Sequence, residues 1–568
     1  YTFFILGNKD KKMILGIDVG GTHTDSVLVE NYRVKKKIKV KTDNDNIMSS
    51  LLAATRETVA GEKVSNIKRI VLSTTISTNA IVQGKTDRVG MVLQNGPGLS
   101  PRFLIHDRDA FLVSGYINNR GISIQPVNER EIKEIGEYFR KENIHQIGIA
   151  GKFSPRNPLQ EIKIAEILED NERNFSLGHR LSGQLNFPRR AATTYLNAAV
   201  HNIHHRFIRE VQKFLHESNI NVPVYILKAD GGTILIEQSI FYPALTIHSG
   251  PAASIMGVLA TADMKEDAVA LDIGGTTTDI SVFADGVPLL EAAGVTIGRL
   301  KTLVRGLNTK SIGIGGDSAV RIKNGEISVG PDREGPAAAL DGPLPTPTDA
   351  MIVLGLAALG SKQKALDAIN SLALQLNMDT VSMAETIMRK AAAIIADNVN
   401  LIIAEINNKP VYTIHDLLEG KVIKPLTVYV MGGPAAAIAP GISNLLGYPY
   451  KIPDHSEVAN ALGAALSRTT AEITVLADTE KKELIISEEG IIKKIPHDFT
   501  ARQAIEAGRE ALQARAVKMG TSLNDLEMEV TEVQEFNMIR DFYTTGKNIR
   551  ARIQIKPGLI SSSPAKER

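Results

Sequence analysis

Two stretches of the chain nearly repeat one another. Residues 14–25 read Ile-Leu-Gly-Ile-Asp-Val-Gly-Gly-Thr-His-Thr-Asp, and residues 271–279 read Leu-Asp-Ile-Gly-Gly-Thr-Thr-Thr-Asp. Each is a short apolar run, an aspartate, a β-branched residue, Gly-Gly-Thr and then a second apolar run, at residues 26–30 or 280–283. That pattern predicts strand, tight turn, strand. One Asp-x-Gly-Gly-Thr phrase need be no more than a hairpin, but two in one chain call for a fold that uses the same turn twice.

The turn has a chemistry of its own. Paired glycines tolerate positive φ and carry no Cβ, so Gly20 and Gly21, like Gly274 and Gly275, can present backbone N–H groups to an anion. Thr22, Thr24, Thr276, Thr277 and Thr278 add hydroxyls. Asp18 and Asp272 stand at the strand ends, where a Mg²⁺ ion that keeps most of its waters takes one or two carboxylates plus phosphate oxygens. Two such turns facing each other would grip a polyphosphate.

Composition narrows the field. Lys and Arg number 65 against 63 Asp and Glu, which leaves no electrostatic footprint for a nucleic-acid binder. The absence of cysteine excludes disulfides, thiolate zinc sites, cysteine-ligated iron–sulfur clusters and cysteine nucleophiles. No apolar stretch reaches membrane-span length and no signal peptide is evident, so the expectation is a cytoplasmic protein without membrane contact. Residues 1–12 precede Met13, the expected native start, and do not enter the fold reasoning.

Along the chain, residues 34–40 predict a third strand and residues 43–46 cap a helix that ends near Gly61. A strand at 69–72 runs into the hydroxyl-rich stretch 73–80, either a ligand contact at a strand end or a helix cap. His106, Asp107, Arg108 and Asp109 form a charged loop. A helix over 194–216 carries His201, His204 and His205, whose spacing allows a metal site but fits a solvated or partner-facing surface better. The strand 224–228 ends in another Asp-Gly-Gly turn, and His248-Ser249-Gly250-Pro251 opens a helix start able to receive phosphate or to pack on a sheet. From 268 the order strand, turn, strand, third strand at 287–291 recurs. Gly315 and Gly316 lie in a further glycine-rich turn, 331–347 reads as loop, and 348–406 as helix. Strand 426–431 delivers Gly432 and Gly433 to a helix, as a nucleoside platform or a plain strand-to-helix turn. Beyond about residue 471 a small α+β appendage follows, with a disordered tail at 561–568.

With these residues in place, the sequence resembles the actin, Hsp70 and sugar kinase superfamily, whose two phosphate motifs and adenosine motif match the Asp18, Asp272 and Gly432 segments in order. Within it the chain is similar to the hydantoinase A and 5-oxoprolinase family, also represented in acetone and acetophenone carboxylases. The narrower matches are residues 73–80, 249–253, 315–318, 345–350 and 460–463. The resemblance implies an α/β chain of duplicated actin-like ATPase, ribonuclease H-like subdomains around a nucleotide cleft, with expected segments 13–190, 191–470 and 471–568. It implies ATP and Mg²⁺ as cofactors and ATP-dependent opening of a cyclic amide such as a hydantoin or 5-oxoproline, by phosphorylation of the amide oxygen. Asp18, Asp272 and Asp279 are then the catalytic candidates, with Asp18 and Asp272 on the metal. Gly20, Gly21, Thr22, Thr24, Gly274, Gly275, Thr276, Thr277, Gly315 and Gly316 would face phosphates, and Gly432 and Gly433 the nucleoside. Asp25 and Asp279 would orient the turns or the attacking group, or be purely structural. A second, B-type hydrolase subunit and an oligomer are the expected partners. Departures from the family pattern, His23 for Phe, Asp317 within a glycine run and no cysteine in 331–347, bear on substrate rather than nucleotide. The competing classes are an ATP-driven reactivase or chaperone-like protein and a small-molecule kinase.

Overall fold

The computed structural model describes residues 13–21, 23–43, 46–98, 109–262, 264–291, 293–408, 422–521 and 526–560. His106, Asp107, Arg108, Thr22 and the tail at 561–568 lie outside the described residues. By internal contacts the chain forms two units: one holds residues 1–252, 291–306 and 464–568, the other 253–290 and 307–463.

The first unit is built on a sheet in the order Thr233–Leu235, Val224–Leu227, Ile67–Thr74, Met13–Val19, His23–Glu30, Arg33–Lys41. Met13–Val19 pairs antiparallel with His23–Glu30 and parallel with Ile67–Thr74, which pairs parallel with Val224–Leu227. Burial runs through the central strand: Met13, Leu15, Ile17 and Val19 are buried on one face, and Gly16 and Asp18 on the other, beside the partly buried Ile14. Such continuous apolar runs belong to strands covered on both sides. The helices Ile47–Val59 and His201–Glu217 supply Leu51, Phe207, Ile208 and Val211 to that core.

The predicted helix over 194–216 is two helices, Phe187–Ala199 and His201–Glu217, broken at Val200. The break lets one length of chain serve two cores. Phe187, Ala191 and Ala198 pack on the parallel four-stranded sheet that contains Val89–Gln94 and Gln146–Gly151, while Phe207 and Val211 pack on the first sheet. The start signal was present as well: Asn186 caps Arg189 N–H and Pro188 sits in the first turn. His201 and His205 stay partly exposed with ring centroids 5.8 Å apart, but His204 does not share that surface. His204 is buried, its Nε2 lies 2.9 Å from Ser239 Oγ, and burial lowers its pKa to about 3.

The expected C-terminal α+β segment is an antiparallel sheet, Ile491–Lys494, Glu483–Ile486, Glu472–Asp478, Tyr543–Ile555, Met528–Arg540, under the helix Ala501–Lys518. It is built into the first unit. Glu488 Oε1 accepts from Gly183 N–H at 3.0 Å, Tyr225 Oη donates to Gly520 O at 2.7 Å, and Arg120 pairs with Asp478 and Glu480.

The second unit repeats the first sheet's plan. Ala268–Ile273 pairs antiparallel with Thr278–Ala284 and parallel with Thr427–Met431, and Tyr450–Lys451 lies beyond. The third strand expected at 287–291 is only Val287–Pro288, and most of that edge is taken by Thr309–Ile312. Proline at 288 has no N–H to extend the ladder. The helices Pro347–Val353, Lys362–Gln375, Thr380–Asn407 and Ala435–Leu446 pack with this sheet, with Ile387, Ile395 and Val399 of the longest in the core. Among the described residues no helix is long and apolar enough to cross a membrane.

Candidate functional site

Each unit carries one Asp-x-Gly-Gly-Thr turn, and the two are built alike. In the first, Asp18 stands opposite Asp25 and Val19 opposite Thr24; in the second, Asp272 stands opposite Asp279 and Ile273 opposite Thr278. Gly20 N–H donates to His23 O at 3.1 Å, and Gly274 N–H donates to Thr277 O at 2.9 Å. Gly21 and His23 are exposed, as are Gly275, Thr276 and Thr277. Backbone N–H groups at the tip of an exposed turn of this kind can meet an anion.

The last threonine of each phrase points inward. Thr24 is fully buried, its hydroxyl 3.0 Å from Thr42 Oγ1, and Thr42 in turn donates to Gly20 O at 2.8 Å. Thr278 is equally buried and donates to Ile314 O at 2.6 Å. These hydroxyls brace the turns and do not reach an exposed ligand.

The two copies differ in what stands across from the second aspartate. Asp25 faces Lys39 and makes an ion pair with its ammonium at 2.6 Å. Asp279 faces Ser311, whose hydroxyl donates to its Oδ1. Burial, together with the Asp272 carboxylate and against the Ser311 hydrogen bond, holds Asp279 up at about 6. A half-buried carboxylate poised near neutrality can exchange a proton with a reacting group. Asp272 accepts from Ser254 Oγ at 2.5 Å, and Asp18 is buried.

The strand parallel to each central strand delivers a second element to the same edge. In the first unit Asp18 lies in register with Ser73, and the hydroxyl-rich stretch follows. It is the end of a strand and a short helix, Ile76–Val82. Several of its groups are engaged: Thr74 O accepts from Ser249 Oγ at 2.8 Å and Thr78 Oγ1 accepts from His248 N–H at 3.1 Å. In the second unit Asp272 lies in register with Met431, so Gly432 and Gly433 follow at the corresponding place. Gly432 has φ +93°, and a Cβ there would fall 2.1 Å from Ile273 O. Glycine is demanded by both conformation and space.

Gly315 and Gly316 support the turn from behind. Gly316 N–H donates to Gly274 O at 2.9 Å, Asp317 N–H to Gly275 O at 2.7 Å, and Gly315 N–H to Ser318 Oγ at 2.9 Å. With these N–H groups taken, both glycines act through the turn. A Cβ on Gly315 would fall 2.6 Å from Gly274 O. Thr348 fixes the same loop by donating to Gly316 O at 2.8 Å, and the buried Asp349 ties down Ala338, Ala339 and Thr346. The Asp317 carboxylate rests against Gly275 and is paired with Arg333 at 3.1 Å. Sequence reading took Asp317 as a departure and did not single out Arg333; with no fixed spacing between them, only the fold shows the pair.

Among the described residues no group of three or more His, Cys, Asp or Glu gathers as a metal cage. Mg²⁺ asks for fewer protein ligands when phosphate and water fill its shell, so one carboxylate beside an exposed glycine turn fits it. A hollow of about 220 Å³ lined by Asp267, Thr427 and Tyr429 lies at the amino ends of the second unit's strands, the edge opposite the turn.

Two sheets of one topology, each with a glycine turn closing its first hairpin, define an actin-like ATPase fold. Family models agree on the narrower identity: Hydantoinase/oxoprolinase matches residues 190–473 and the Hydantoinase/oxoprolinase N-terminal region matches 14–171, and the chain belongs to this family. An uncharacterized protein of Methanocaldococcus jannaschii is 26% identical over 537 residues, covering 82% of this chain and 74% of that protein. Caprolactamase subunit alpha of Pseudomonas jessenii is 24% identical over 409 residues, covering 63% of this chain but only 58% of its own length. The crystal structure of the ATP-dependent caprolactamase from that organism superposes with TM-score 0.72 at 19% identity, covering 98% of this chain and 89% of the other. Nucleotide-free acetone carboxylase gives TM-score 0.67 at 17% identity, with the same coverage.

Proposed function

We propose that this chain is the ATP-using component of an enzyme that opens a cyclic amide. The observation that carries the reading is the duplicated turn, identical in register and exposed at the tip in both units, in a member of the hydantoinase/oxoprolinase family. ATP would supply a γ-phosphoryl group to the amide oxygen, so that water can attack the ring carbon, the ring C–N bond breaks and phosphate leaves. Amide oxygen is a weak nucleophile, and catalysis then rests on alignment and charge neutralisation.

In this scheme Asp18 and Asp272 hold the waters of Mg²⁺, and the tips at Gly20–Gly21 and Gly274–Thr277 take phosphate oxygens. Gly432 and Gly433 let the nucleoside lie against backbone. Asp279, held near neutrality, is the proton-handling carboxylate, while Asp25, neutralised by Lys39, is structural. A carboxylating enzyme could use the same phosphoryl chemistry, and a B-type partner subunit would carry the steps after activation. The caprolactamase and acetophenone carboxylase relatives are named as subunits, which supports a partner.

The test is nucleotide turnover by the purified chain with Mg²⁺, alone and with hydantoins, 5-oxoproline and other lactams, with both nucleotide and organic products identified. Stimulation by one cyclic amide, lost in Asp272→Asn, supports the proposal. Tight nucleotide binding without stimulation by any lactam moves the reading to a partner-driven ATPase, and a stable phosphoester product to a kinase.

A further inference from the structure

The Asp-Gly-Gly turn that follows Val224–Leu227 has no part in the phosphate scheme, yet it is among the most constrained places in the first unit. Lys228 and Asp230 are both buried. Lys228 Nζ donates to Thr470 Oγ1 at 2.6 Å, Thr470 O at 2.9 Å and Asp230 Oδ2 at 3.3 Å, while Asp230 also accepts from Gly232 N–H at 3.0 Å and Thr470 Oγ1 at 2.7 Å. A Cβ on Gly232 would fall 2.0 Å from Thr470 Oγ1. Ammonium and carboxylate thus satisfy one another. Because Val224–Leu227 runs parallel to Ile67–Thr74, and that strand to Met13–Val19, the turn leaves the sheet at the same edge as Asp18. At about 4.8 Å per strand the separation is roughly 10 Å.

Arg305 beside this pair is not satisfied. Its side chain is 15% exposed; Nη2 donates to Ile555 O at 3.2 Å, and Nη1 stands 3.7 Å from Asp230 Oδ2, outside hydrogen-bond reach. Nε and Nη1 of Arg305, and Nε of the buried Arg515, have no partner. Between these groups lies a cavity of about 60 Å³. That is room for about two waters or one carboxylate group, at ~30 Å³ per water. It adjoins a second cavity of about 230 Å³, sharing Glu488, Arg515 and Met519 with it. His179 joins the wall of the larger one, its Nδ1 fixed 2.6 Å from Glu161 and its Nε2 without a partner.

Three carboxylates of these walls are already engaged: Asp230 as above, Glu489 by Arg515 and Lys518, and Glu488 Oε1 by the N–H groups of Gly183 and Thr474; Glu472 also lines the smaller cavity. Burial pushes Glu488 up to about 7, which weakens it as a rival anion. Guanidinium N–H groups and one imidazole nitrogen stand without a hydrogen-bond partner. A buried guanidinium N–H left without a hydrogen bond is costly, and Lys228 and Arg305 share the one carboxylate of Asp230, so the group that completes this wall brings acceptor oxygens and negative charge.

We infer that the first unit holds a binding pocket for a small organic carboxylate, with the carboxylate on Arg305 beside the Lys228–Asp230 pair and the organic part in the larger cavity next to His179. The carboxylate belongs to the substrate itself or to a separate acid. The first source rests on the cyclic-amide reading, and the pocket does not.

The test is calorimetric binding to the full chain without nucleotide, so that failure of ATP turnover cannot be confused with failure of the pocket. The probes are acetate, 5-oxoproline and 2-pyrrolidinone, the last being the same lactam without its carboxylate. A carboxylate probe should bind at least tenfold more tightly than 2-pyrrolidinone, and Arg305→Gln should weaken it tenfold or more while Arg305→Lys restores part of the loss. Tighter binding of 5-oxoproline than of acetate identifies the substrate as the source; binding of acetate alone identifies a separate acid. Because Arg305 also holds Ile555 O, melting curves check each variant, and the wild-type comparison of the two lactams with acetate decides the matter if a variant fails to fold. No binding of either carboxylate, equal binding of 5-oxoproline and 2-pyrrolidinone with none of acetate, or indifference to a folded Arg305→Gln overturns the pocket.

Discussion

Placing a lysine at Ser311 would copy the first hairpin's neighbour onto the second, because Ser311 stands across from Asp279 as Lys39 stands across from Asp25. Asp279 is held at about 6, roughly two pH units above an ordinary aspartate. At 1.36 kcal/mol per unit the strain on its charged form is at most about 3 kcal/mol, and solvent screening at a half-buried site brings it to about 2. The sign follows from linkage: a carboxyl with a raised native pKa keeps its proton longer in the folded than in the unfolded chain. Stability therefore falls as pH rises from about 4 to about 6, and the loss is constant above that. Both Ser311→Lys and Asp279→Asn should remove this fall. Each should match the wild type near pH 4 and exceed it by about 2 kcal/mol at pH 8, Ser311→Lys by pairing the charge and Asp279→Asn by abolishing it. With no cysteine or tryptophan in the chain, a dye on Ser371→Cys, at an exposed position of the helix Lys362–Gln375, reports unfolding of the second unit. Urea curves at several pH values then give the difference. Parallel pH profiles for wild type and Asp279→Asn would refute the reasoning, and so would an unchanged fall in Ser311→Lys.

Further expectations come from close contacts and buried charges. Gly432→Ala puts a Cβ against Ile273 O at φ +93° and should cost about 2–4 kcal/mol in the same urea assay, with nucleotide affinity reduced. In the second unit Gly463→Ala should act alike, since a Cβ there would fall 2.2 Å from Gly257 N; about 3 kcal/mol is expected, with the far-UV spectrum retained. The buried His179–Glu161 pair, 2.6 Å apart, should cost about 3–5 kcal/mol when broken by Glu161→Ala. Glu161 is held below the usual range by His179 against the cost of burial. Its contribution is therefore present above the unfolded glutamate pKa and lost as pH falls through the lower native value, which acid denaturation of Glu161→Gln against wild type would show as a shallower slope.

How much of this was legible beforehand depends on range. The hairpins at Asp18 and Asp272, the cap at Asn46, and the strand-to-helix turn at Gly432 are local patterns of apolar period, glycine and capping residues, and the chain shows each of them. The break at Val200 was not local: it exists because two halves of one helical pattern face different sheets. His204 was misjudged for the same reason, since its exposure is decided by Ser239 and the packing around it. Thr24 and Gly315 fit a phosphate motif in sequence, but the first hydroxyl is drawn to Thr42 and the second N–H to Ser318. A motif fixes which groups are present; tertiary partners decide which of them remain available.

The duplication shows the same rule acting on chemistry. Two hairpins of one register, closed by one kind of glycine turn, place a carboxylate at the same position, and its surroundings set its state. With a lysine opposite, Asp25 is an ion-paired strut. Burial and the nearby Asp272, against the hydrogen bond from Ser311, hold Asp279 at about 6, where a proton can be gained or lost at little cost near neutral pH. The third strand brings that neighbour in both units, Arg33–Lys41 in one and Thr309–Ile312 in the other. In the proposed scheme, a difference in the edge strand beside the second aspartate and in its surroundings separates a structural carboxylate in one hairpin from a proton-handling one in the other. That asymmetry predicts that Asp25→Asn leaves the pH profile of nucleotide turnover in place, whereas Asp279→Asn removes the limb near pH 6.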